Sequence, residues 1–465
     1  MKTTKKKKKA RGLHIIIVGC GKVGATLVER LIEDDHNIAV IDQNPARVQQ
    51  ITDRYDVYGV VGNGASFSVQ MEAGVDQADV LIAVTAADEL NLLCCVVAKQ
   101  SGHCDVIARV RTPEYSEEAE YLKKQLGLAM IINPDLLAAR AIARNLFMPT
   151  ALSVNSFARG QADMVRIKLP EGNVLTGKQI RELGMEERLN DVLICAVERE
   201  GQVMIPNGSF VLQAGDVIVF IAQIRHGRNF LKKIGFQTHQ VRNTLLIGGG
   251  RTGYYLAKAL LDAGVSVKII EHNQERCEDL SEILSDAVVI RGDASNADLL
   301  QEVGIETAES VVALTGFDEE NILLTLHARE VSNAKTITKI NRLEFHQVIE
   351  NLDLGSVVFP KYITSETIIA FVRAKVASLG SEIETLVQLF GDQVEAIEFR
   401  VGEGSPVTGT PLTGLSLKDH MLITCINRGG RIIIPRGNDM IQPGDSVIVV
   451  TTQKGIDGIE DILAG

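Results

Sequence analysis

The 465-residue chain is 45% apolar and 4% aromatic, contains no tryptophan and carries a net charge of −11. That length predicts two to four domains, and the composition suits α/β layers rich in Val, Ile, Leu and Ala. No run approaches the roughly 20 apolar residues of a membrane-spanning helix, so the chain is expected to be soluble or peripheral to a membrane.

Residues 1–12 form a basic tail with Lys2, Lys5, Lys6, Lys7, Lys8, Lys9 and Arg11; taking these seven charges from −11 leaves the remainder near −18. An acidic body argues against nucleic acid as the main partner. The tail has no apolar region after it and is not a secretory signal. Two readings stay open for it: a solvated, disordered segment, or an electrostatic contact with anionic lipid headgroups.

Leu13 to Asp42 reads LHIIIVGCGKVGATLVERLIEDDHNIAVID. The pattern predicts strand, glycine turn, helix, strand and acid. Gly19 suits backbone angles closed to other residues, Gly21 lets the main chain approach a pyrophosphate, and Gly24 lets the helix pack on its strand. Amides and dipole at the helix start, Gly19 to Gly24 with Cys20, Lys22 and Val23, would hold phosphate. Asp42 stands where a carboxylate meets ribose hydroxyls and repels a 2′-phosphate, so NAD or an adenine nucleotide is expected over NADP.

The βαβ rhythm continues with strands at Val57–Val61, Val80–Val84, Val106–Val110 and Met130–Ile132. Helices are expected at Ser66–Ala73 and Asp88–Gln100, from Pro113, and from Pro134 to about Phe147. Residues 162–222 change to short β-rich runs with glycine turns, and Gln223 to Arg242 reads as a connector. Asn243 to Glu271 then repeats the opening stretch: Gly248, Gly250, Gly253 and Glu271 follow Gly19, Gly21, Gly24 and Asp42 at one offset of 229. Internal repeats of this kind decide the architecture. Further strands are expected at Ala287–Ile290, Val311–Leu314, Thr336–Ile340 and Val357–Phe359, with a last long helix over about Ser365 to Leu379. A second β-rich block, 394–451, matches the first through Gly201/Gly430, Pro206/Pro435 and Gly215–Asp216/Gly444–Asp445. Each block would need to pack against a neighbour to fold. The long helices ending each nucleotide module are read either as core or as bridges to a partner module.

Polar residues that recur in both halves bear on chemistry. T-x-x-D-E-x-N appears at Thr85 to Asn91, with Ala86, and again at Thr315 to Asn321, at strand ends where open parallel sheets bind ligands. Thr85 and Thr315 are read as ligand contacts, and Asp88 and Asp318 chiefly as helix N-caps. Arg109 in the first copy is matched by Lys339 in the second, so each nucleotide would meet one cation. Gly292-Asp293-Ala294-Ser295 set against Asn63-Gly64-Ala65-Ser66 leaves Asp293 facing Gly64, so the two sites are expected to differ.

The cysteines at 20, 94, 95, 104, 195, 277 and 425 show no C-x-x-C pair and read as buried small residues in a reducing cytoplasm. Cys20, at a helix start, is the one candidate for a reactive thiolate. No histidine or Tyr-x-x-x-Lys constellation faces the cofactor as hydride transfer would require, and no metal-ligand cluster stands out. A sensor with cofactor sites is therefore expected, not an enzyme. The alternatives are a tandem NAD-dependent oxidoreductase and an oligomerisation scaffold.

With GCGKVG and GGGRTG, the T-x-x-D-E-x-N turns, ARVR at Ala108 to Arg111 and the doubled order of dinucleotide and β-rich modules, the chain resembles the TrkA family of Trk-system potassium-uptake regulators, with tandem RCK/KTN domains. The resemblance implies an α/β fold of two tandem Rossmann-like, doubly wound parallel-sheet domains, each followed by a small β-rich α+β domain. The implied boundaries are 13–149, 150–235, 242–380 and 381–465. It further implies a cytoplasmic protein, peripheral on the inner face of the membrane. A homo-oligomeric ring (tetramer or dimer of dimers) would gate a polytopic Trk-type potassium-translocating subunit, with NAD(H) and ATP or ADP as competing ligands. Carried over by position, the contacts are Gly19 to Val23, Asp42, Thr85, Ala86 and Arg109, and in the second copy Gly248, Gly249, Gly250, Arg251, Thr252, Glu271, Thr315 and Lys339, with Asp293 beside them.

Overall fold

The structure, a computed structural model, describes residues 12–148, 151–185, 191–236, 240–342, 349, 352, 354–378, 383–390, 393–456 and 458–464. The lysine run, part of the connector and the expected helix end at Leu379 lie outside the described residues. By its contacts the chain divides into two compact units, residues 1–134 with 361–381, and residues 135–360 with 382–465.

The first unit is built on a parallel sheet. Its elements are β1 (His14–Val18), α1 (Lys22–Glu33), β2 (Asn37–Asp42), α2 (Pro45–Arg54), β3 (Tyr58–Val61), α3 (Phe67–Glu72), β4 (Val80–Ala83), α4 (Asp88–Ser101), β5 (Asp105–Arg109), α5 (Pro113–Glu117), α6 (Ala119–Leu126) and β6 (Met130–Ile132). Strand order is β3-β2-β1-β4-β5-β6, so the chain reverses direction across the sheet between β1 and β4. Ile15, Ile16, Ile17 and Val18 are all buried, as expected for a central strand covered on both faces. Asn44 caps α2 by accepting the Ala46 N–H, with Pro45 at the first helical position. The helix expected from Pro113 is two helices, broken at Glu118.

The second unit opens with α7 (Pro134–Phe147), whose bounds match the sequence reading. An antiparallel sheet follows, made of β7 (Ser153–Phe157), β8 (Ala162–Lys168), β9 (Val192–Arg199), β10 (Gln202–Met204) and β11 (Val217–Gln223), in the order β10-β9-β11-β8-β7, with α8 (Ile180–Met185) and α9 (Ile224–Lys233). The second nucleotide module comprises β12 (Asn243–Ile247), α10 (Arg251–Asp262), β13 (Ser266–Glu271), α11 (Gln274–Ile283), β14 (Val288–Arg291), α12 (Ala297–Val303), β15 (Ser310–Ala313), α13 (Asp318–Val331), β16 (Lys335–Lys339) and β17 (Ser356–Val358). Its sheet, β14-β13-β12-β15-β16-β17, repeats the first topology.

The helix expected over 365–379 is α14, and it begins five residues earlier, at Pro360, ending at Ser378. The spacing of the copies changes before it: the offset is 229 at the glycines but 226 between Pro134 and Pro360. All of α14 after Pro360 belongs to the first unit, although it follows the second module in the chain. It docks there through a bidentate ion pair, Arg373 with Asp34 at 2.7 Å, and through Arg30–Glu366 and Lys375–Asp105.

The last block, β18 (Ile383–Leu389), β19 (Val394–Arg400), β20 (Met421–Arg428), β21 (Arg431–Ile433) and β22 (Ser446–Thr451), forms a sheet ordered β18-β19-β22-β20-β21. Each β-rich block is longer at its start than the repeat indicated, because β7 and β18 also join their sheets. The recurring Gly-Asp pairs have a structural cause. Gly215 and Gly444 adopt φ of +87° and +86°, and Asp216 and Asp445 take bidentate bonds from Arg199 (2.7 and 2.8 Å) and Arg428 (2.9 and 2.8 Å). The two blocks share one apolar layer that includes Phe157, Val219, Ile221, Phe390, Cys425 and Ile448, which supplies the neighbour that blocks of this size need.

Candidate functional site

At the carboxyl ends of β1, β2, β4 and β5 the first unit holds a cavity of about 370 Å³. Ligands of open α/β sheets bind where the strand order reverses, and the cavity sits at that point. The glycines divide the work. Gly19 has φ +107°, and a Cβ on Gly24 would lie 1.9 Å from the Gly19 carbonyl oxygen. A Cβ on Gly21 would meet nothing within 4 Å, so that position faces open cavity. The backbone is shaped for close approach of a phosphate group there.

The cavity brings together Gly19, Gly21, Lys22, Val23, Asp42, Thr85, Ala86 and Arg109 from among the residues expected by sequence. Cys20 and Gly24 are not on its lining. The Asp42 carboxylate accepts the Cys20 N–H at 2.7 Å and the Asn44 N–H at 2.9 Å. It thus ties the loop to the end of β2 while facing the cavity. Sequence reasoning missed Arg47, Arg111 and Lys361, which also line it. Arg47 had a signal: Arg276 repeats it at the 229 offset, two residues after the helix-opening positions Pro45 and Gln274. Lys361, from α14, had none, because the start of that helix was misplaced.

The T-x-x-D-E-x-N turns differ from their reading. Asn91 Oδ1 accepts the Thr85 N–H at 2.8 Å and the Thr85 hydroxyl at 2.7 Å, and Asn91 Nδ2 donates to the Arg109 carbonyl at 2.8 Å. Asn321 does the same for the Thr315 N–H (2.8 Å) and the Lys339 carbonyl (2.9 Å). The threonine amides are therefore committed within the fold. Asp88 and Asp318 are not N-caps. Asp88 accepts from the Arg111 N–H, Thr112 N–H and Thr112 hydroxyl at 2.7–2.8 Å, and Asp318 from the Asn341 and Arg342 N–H groups at 2.8 Å. Each pins the loop leaving the fifth strand. Burial raises the Asp88 pKa, but the Thr112 hydroxyl and the two amides outweigh it and hold the carboxyl below its ordinary value.

Two further expectations are corrected. Asp293 is equivalent to Asn63, not to Gly64. Asp293 accepts the Ser295 N–H at 2.9 Å as Asn63 accepts the Ala65 N–H at 3.0 Å, because the second copy has one more residue before its third strand. At Gly64 a Cβ would come 2.2 Å from Val18, so the glycine there is steric. Cys20 is buried, and burial together with Asp42 pushes its thiol up to about 12, the reverse of a reactive thiolate. All seven cysteines are free and buried. Arg109 and Lys339 also differ in anchorage: Arg109 donates to the Thr85 carbonyl at 2.6 Å and Lys339 to the Leu314 carbonyl at 2.7 Å.

The second loop repeats the backbone. Gly248 has φ +110°, a Cβ on Gly253 would lie 2.4 Å from the Gly248 oxygen, and one on Gly250 would meet nothing within 4 Å. Glu271 accepts the Gly249 N–H at 2.8 Å and the Asn273 N–H at 2.9 Å, and Arg276 donates to the Gly249 carbonyl at 2.9 Å. Arg251 is exposed at the helix start. Thr252 donates its hydroxyl to Asp135 at 2.8 Å.

The TrkA-N domain family model matches residues 15–134 and 244–360, and the TrkA-C domain model matches 164–235 and 396–464. A Trk system potassium uptake protein TrkA homolog of Archaeoglobus fulgidus is 32% identical over 97% of this chain and 100% of its own length. The Trk system potassium uptake protein TrkA of Vibrio alginolyticus is 31% identical over 95% of this chain and 96% of its own. Among solved structures the GsuK RCK domain superposes with a TM-score of 0.62 at 20% identity, covering 96% of this chain and 94% of that one. The GsuK channel bound to NAD gives a TM-score of 0.62 at 20% identity, over 96% of this chain and 78% of that one. These two likenesses show the α/β tandem RCK fold. Among the described residues, no helix is long and apolar enough to cross a membrane.

Proposed function

This chain belongs to the TrkA family of Trk-system potassium-uptake proteins, and from that premise we propose that it is a nucleotide-responsive regulatory subunit that gates a polytopic, Trk-type potassium-translocating membrane protein. It acts from the cytoplasmic face as a homo-oligomeric ring and without turnover. NAD(H) and ATP or ADP compete for its glycine-loop seat. The observation that carries the reading is the first cavity, where the open face of Gly21 and the carboxylate of Asp42 are ringed by Lys22, Arg47, Arg109, Arg111 and Lys361. Cations around a helix start suit a diphosphate, and an acid at the end of β2 suits ribose hydroxyls.

The geometry also supplies a route from ligand to shape. Lys361 reaches the cavity from α14, the helix that Arg373 and Glu366 fix to Asp34 and Arg30. A phosphate held by Lys361 therefore bears on a helix continuous with the second module. Moving a 1:99 balance of ring shapes to 99:1 takes about 5.5 kcal/mol of differential affinity, which sites coupled at roughly 1–3 kcal/mol each can supply only together. The test is potassium flux through the reconstituted membrane partner with NADH, ADP or ATP at saturation, alongside NADH absorbance. Ligand-dependent flux without NADH consumption is expected. Equal flux under all three ligands would remove the gating role, and flux that tracks steady NADH oxidation would favour a tandem oxidoreductase.

A further inference from the structure

We propose that the residue after each helix-opening proline decides which glycine loop accepts a phosphate: Lys361 admits it to the first, and Asp135 bars it from the second. The proposal rests on the nucleotide reading above and names where that nucleotide sits. Pro134–Asp135 opens α7 and Pro360–Lys361 opens α14, so Asp135 and Lys361 are equivalent positions of the duplicated module. Each lies in the compact unit that contains the other half's glycine loop.

What they meet differs in a matched way. The second residue of the loop helix is Thr252 in α10 and Val23 in α1. Thr252 donates its hydroxyl to the Asp135 carboxylate at 2.8 Å, and both are buried, at 4% and 9% exposure. In the first copy Val23 offers no hydroxyl, and Lys361 lines the cavity beside it. Hydroxyl goes with carboxylate, and apolar side chain with ammonium. The Asp135 carboxylate thus sits against the Thr252 side chain in the first turn of α10, the end of the helix to which a bound phosphate would be drawn by the amides and the positive end of the dipole. A phosphate charge brought to about 4 Å from a carboxylate at an effective dielectric of about 20 loses affinity on the order of a thousandfold. Duplication has kept the second loop's backbone, and Asp135 sets a carboxylate of the chain itself beside it.

The test is calorimetric titration of the full-length chain with ADP, with and without Mg²⁺. The unaltered chain should bind one ADP, Asp135→Asn should bind two, and Lys361→Gln should bind one about tenfold more weakly, the loss typical of a charge-assisted contact. Lys361→Asp, which places an acid at the first loop, gives an arm independent of how Asp135→Asn folds; with cooperative melting retained, it should weaken ADP at least a hundredfold. Two ADP on the unaltered chain in either condition, a single ADP on well-folded Asp135→Asn, or undiminished binding by Lys361→Asp would overturn the assignment. Absence of ADP binding in every protein would instead remove the nucleotide reading on which it stands.

Discussion

Gly24→Ala and Gly21→Ala should separate stability from binding within one glycine loop. An alanine Cβ at 24 would lie 1.9 Å from the Gly19 carbonyl oxygen and 3.1 Å from its carbon, so about 1.5 Å of displacement is needed to reach ordinary contact, in a core where one extra methyl is already felt. Gly19 cannot move freely. Its N–H donates to the Ile41 carbonyl at 2.8 Å, and the next N–H, of Cys20, donates to the Asp42 carboxylate at 2.7 Å. Losing a neutral bond costs about 1 kcal/mol and a charge-assisted one about 2, so Gly24→Ala should destabilise the first unit by about 3 kcal/mol. Gly21→Ala puts its methyl in open cavity and should cost at most about 1 kcal/mol as an N-cap change, while weakening ADP or NADH about tenfold or more. Denaturant unfolding and calorimetric titration of both variants provide the assay. Equal stability losses for the two, or full nucleotide affinity in Gly21→Ala, would refute the division of labour between these glycines.

Asp88→Asn should lower stability by about 1.5–3 kcal/mol at neutral pH. Because the folded carboxyl titrates below its ordinary 3.8, the advantage of Asp88 over Asn is present above that pH and vanishes as pH falls through the folded value, which acid unfolding of the pair can follow. Lys335 is half-buried, with its ammonium donating to the Ala151 carbonyl, and desolvation lowers its pKa from 10.5 to about 8. Between those pH values the unfolded chain holds a proton that the folded one lacks, so stability should drop by about 3 kcal/mol as pH falls from 10.5 to 8 and then level off. Lys335→Met should abolish this slope in guanidinium unfolding measured across that range. On the proposed nucleotide seat NADPH should bind about tenfold more weakly than NADH, since a 2′-phosphate would be brought against Asp42, and Asp42→Asn should narrow the gap, with Arg47 also lining the cavity.

Local chemistry was legible in the sequence, and long-range docking was not. The glycine loop, the acid after β2 and the alternation of strand and helix follow from residue type and period, because each is decided within about 30 residues. The T-x-x-D-E-x-N turn was found but misread. Recurrence in a duplicated chain marks whatever both copies need, and both need Asn91 and Asn321 to tie the fourth strand's end to the fifth, and Asp88 and Asp318 to pin the next loop. The Asp293 comparison failed through one inserted residue, which shifts an alignment without disturbing any pattern. Lys361 and Asp135 could not be placed by any local rule, since the unit on which a terminal helix docks depends on surfaces hundreds of residues away. Arg47 was missed although its repeat at Arg276 was visible, because an arginine in an amphipathic helix looks like a solvated face.

The membership of α14 in the first unit sets a timetable for biosynthesis. Residues up to 134 leave the ribosome roughly 10–45 s before residue 361 is made, at about 5–20 residues per second. Throughout that interval Asp34 and Asp105 wait for Arg373 and Lys375, partners 339 and 270 positions downstream. The newborn first module must therefore persist with the face that α14 will cover still bare, exposed to chaperones and to neighbouring nascent chains. A gene cut between the halves would leave each product without the helix that its own unit borrows from the other, so the two products could complete their units only by exchanging those helices in trans.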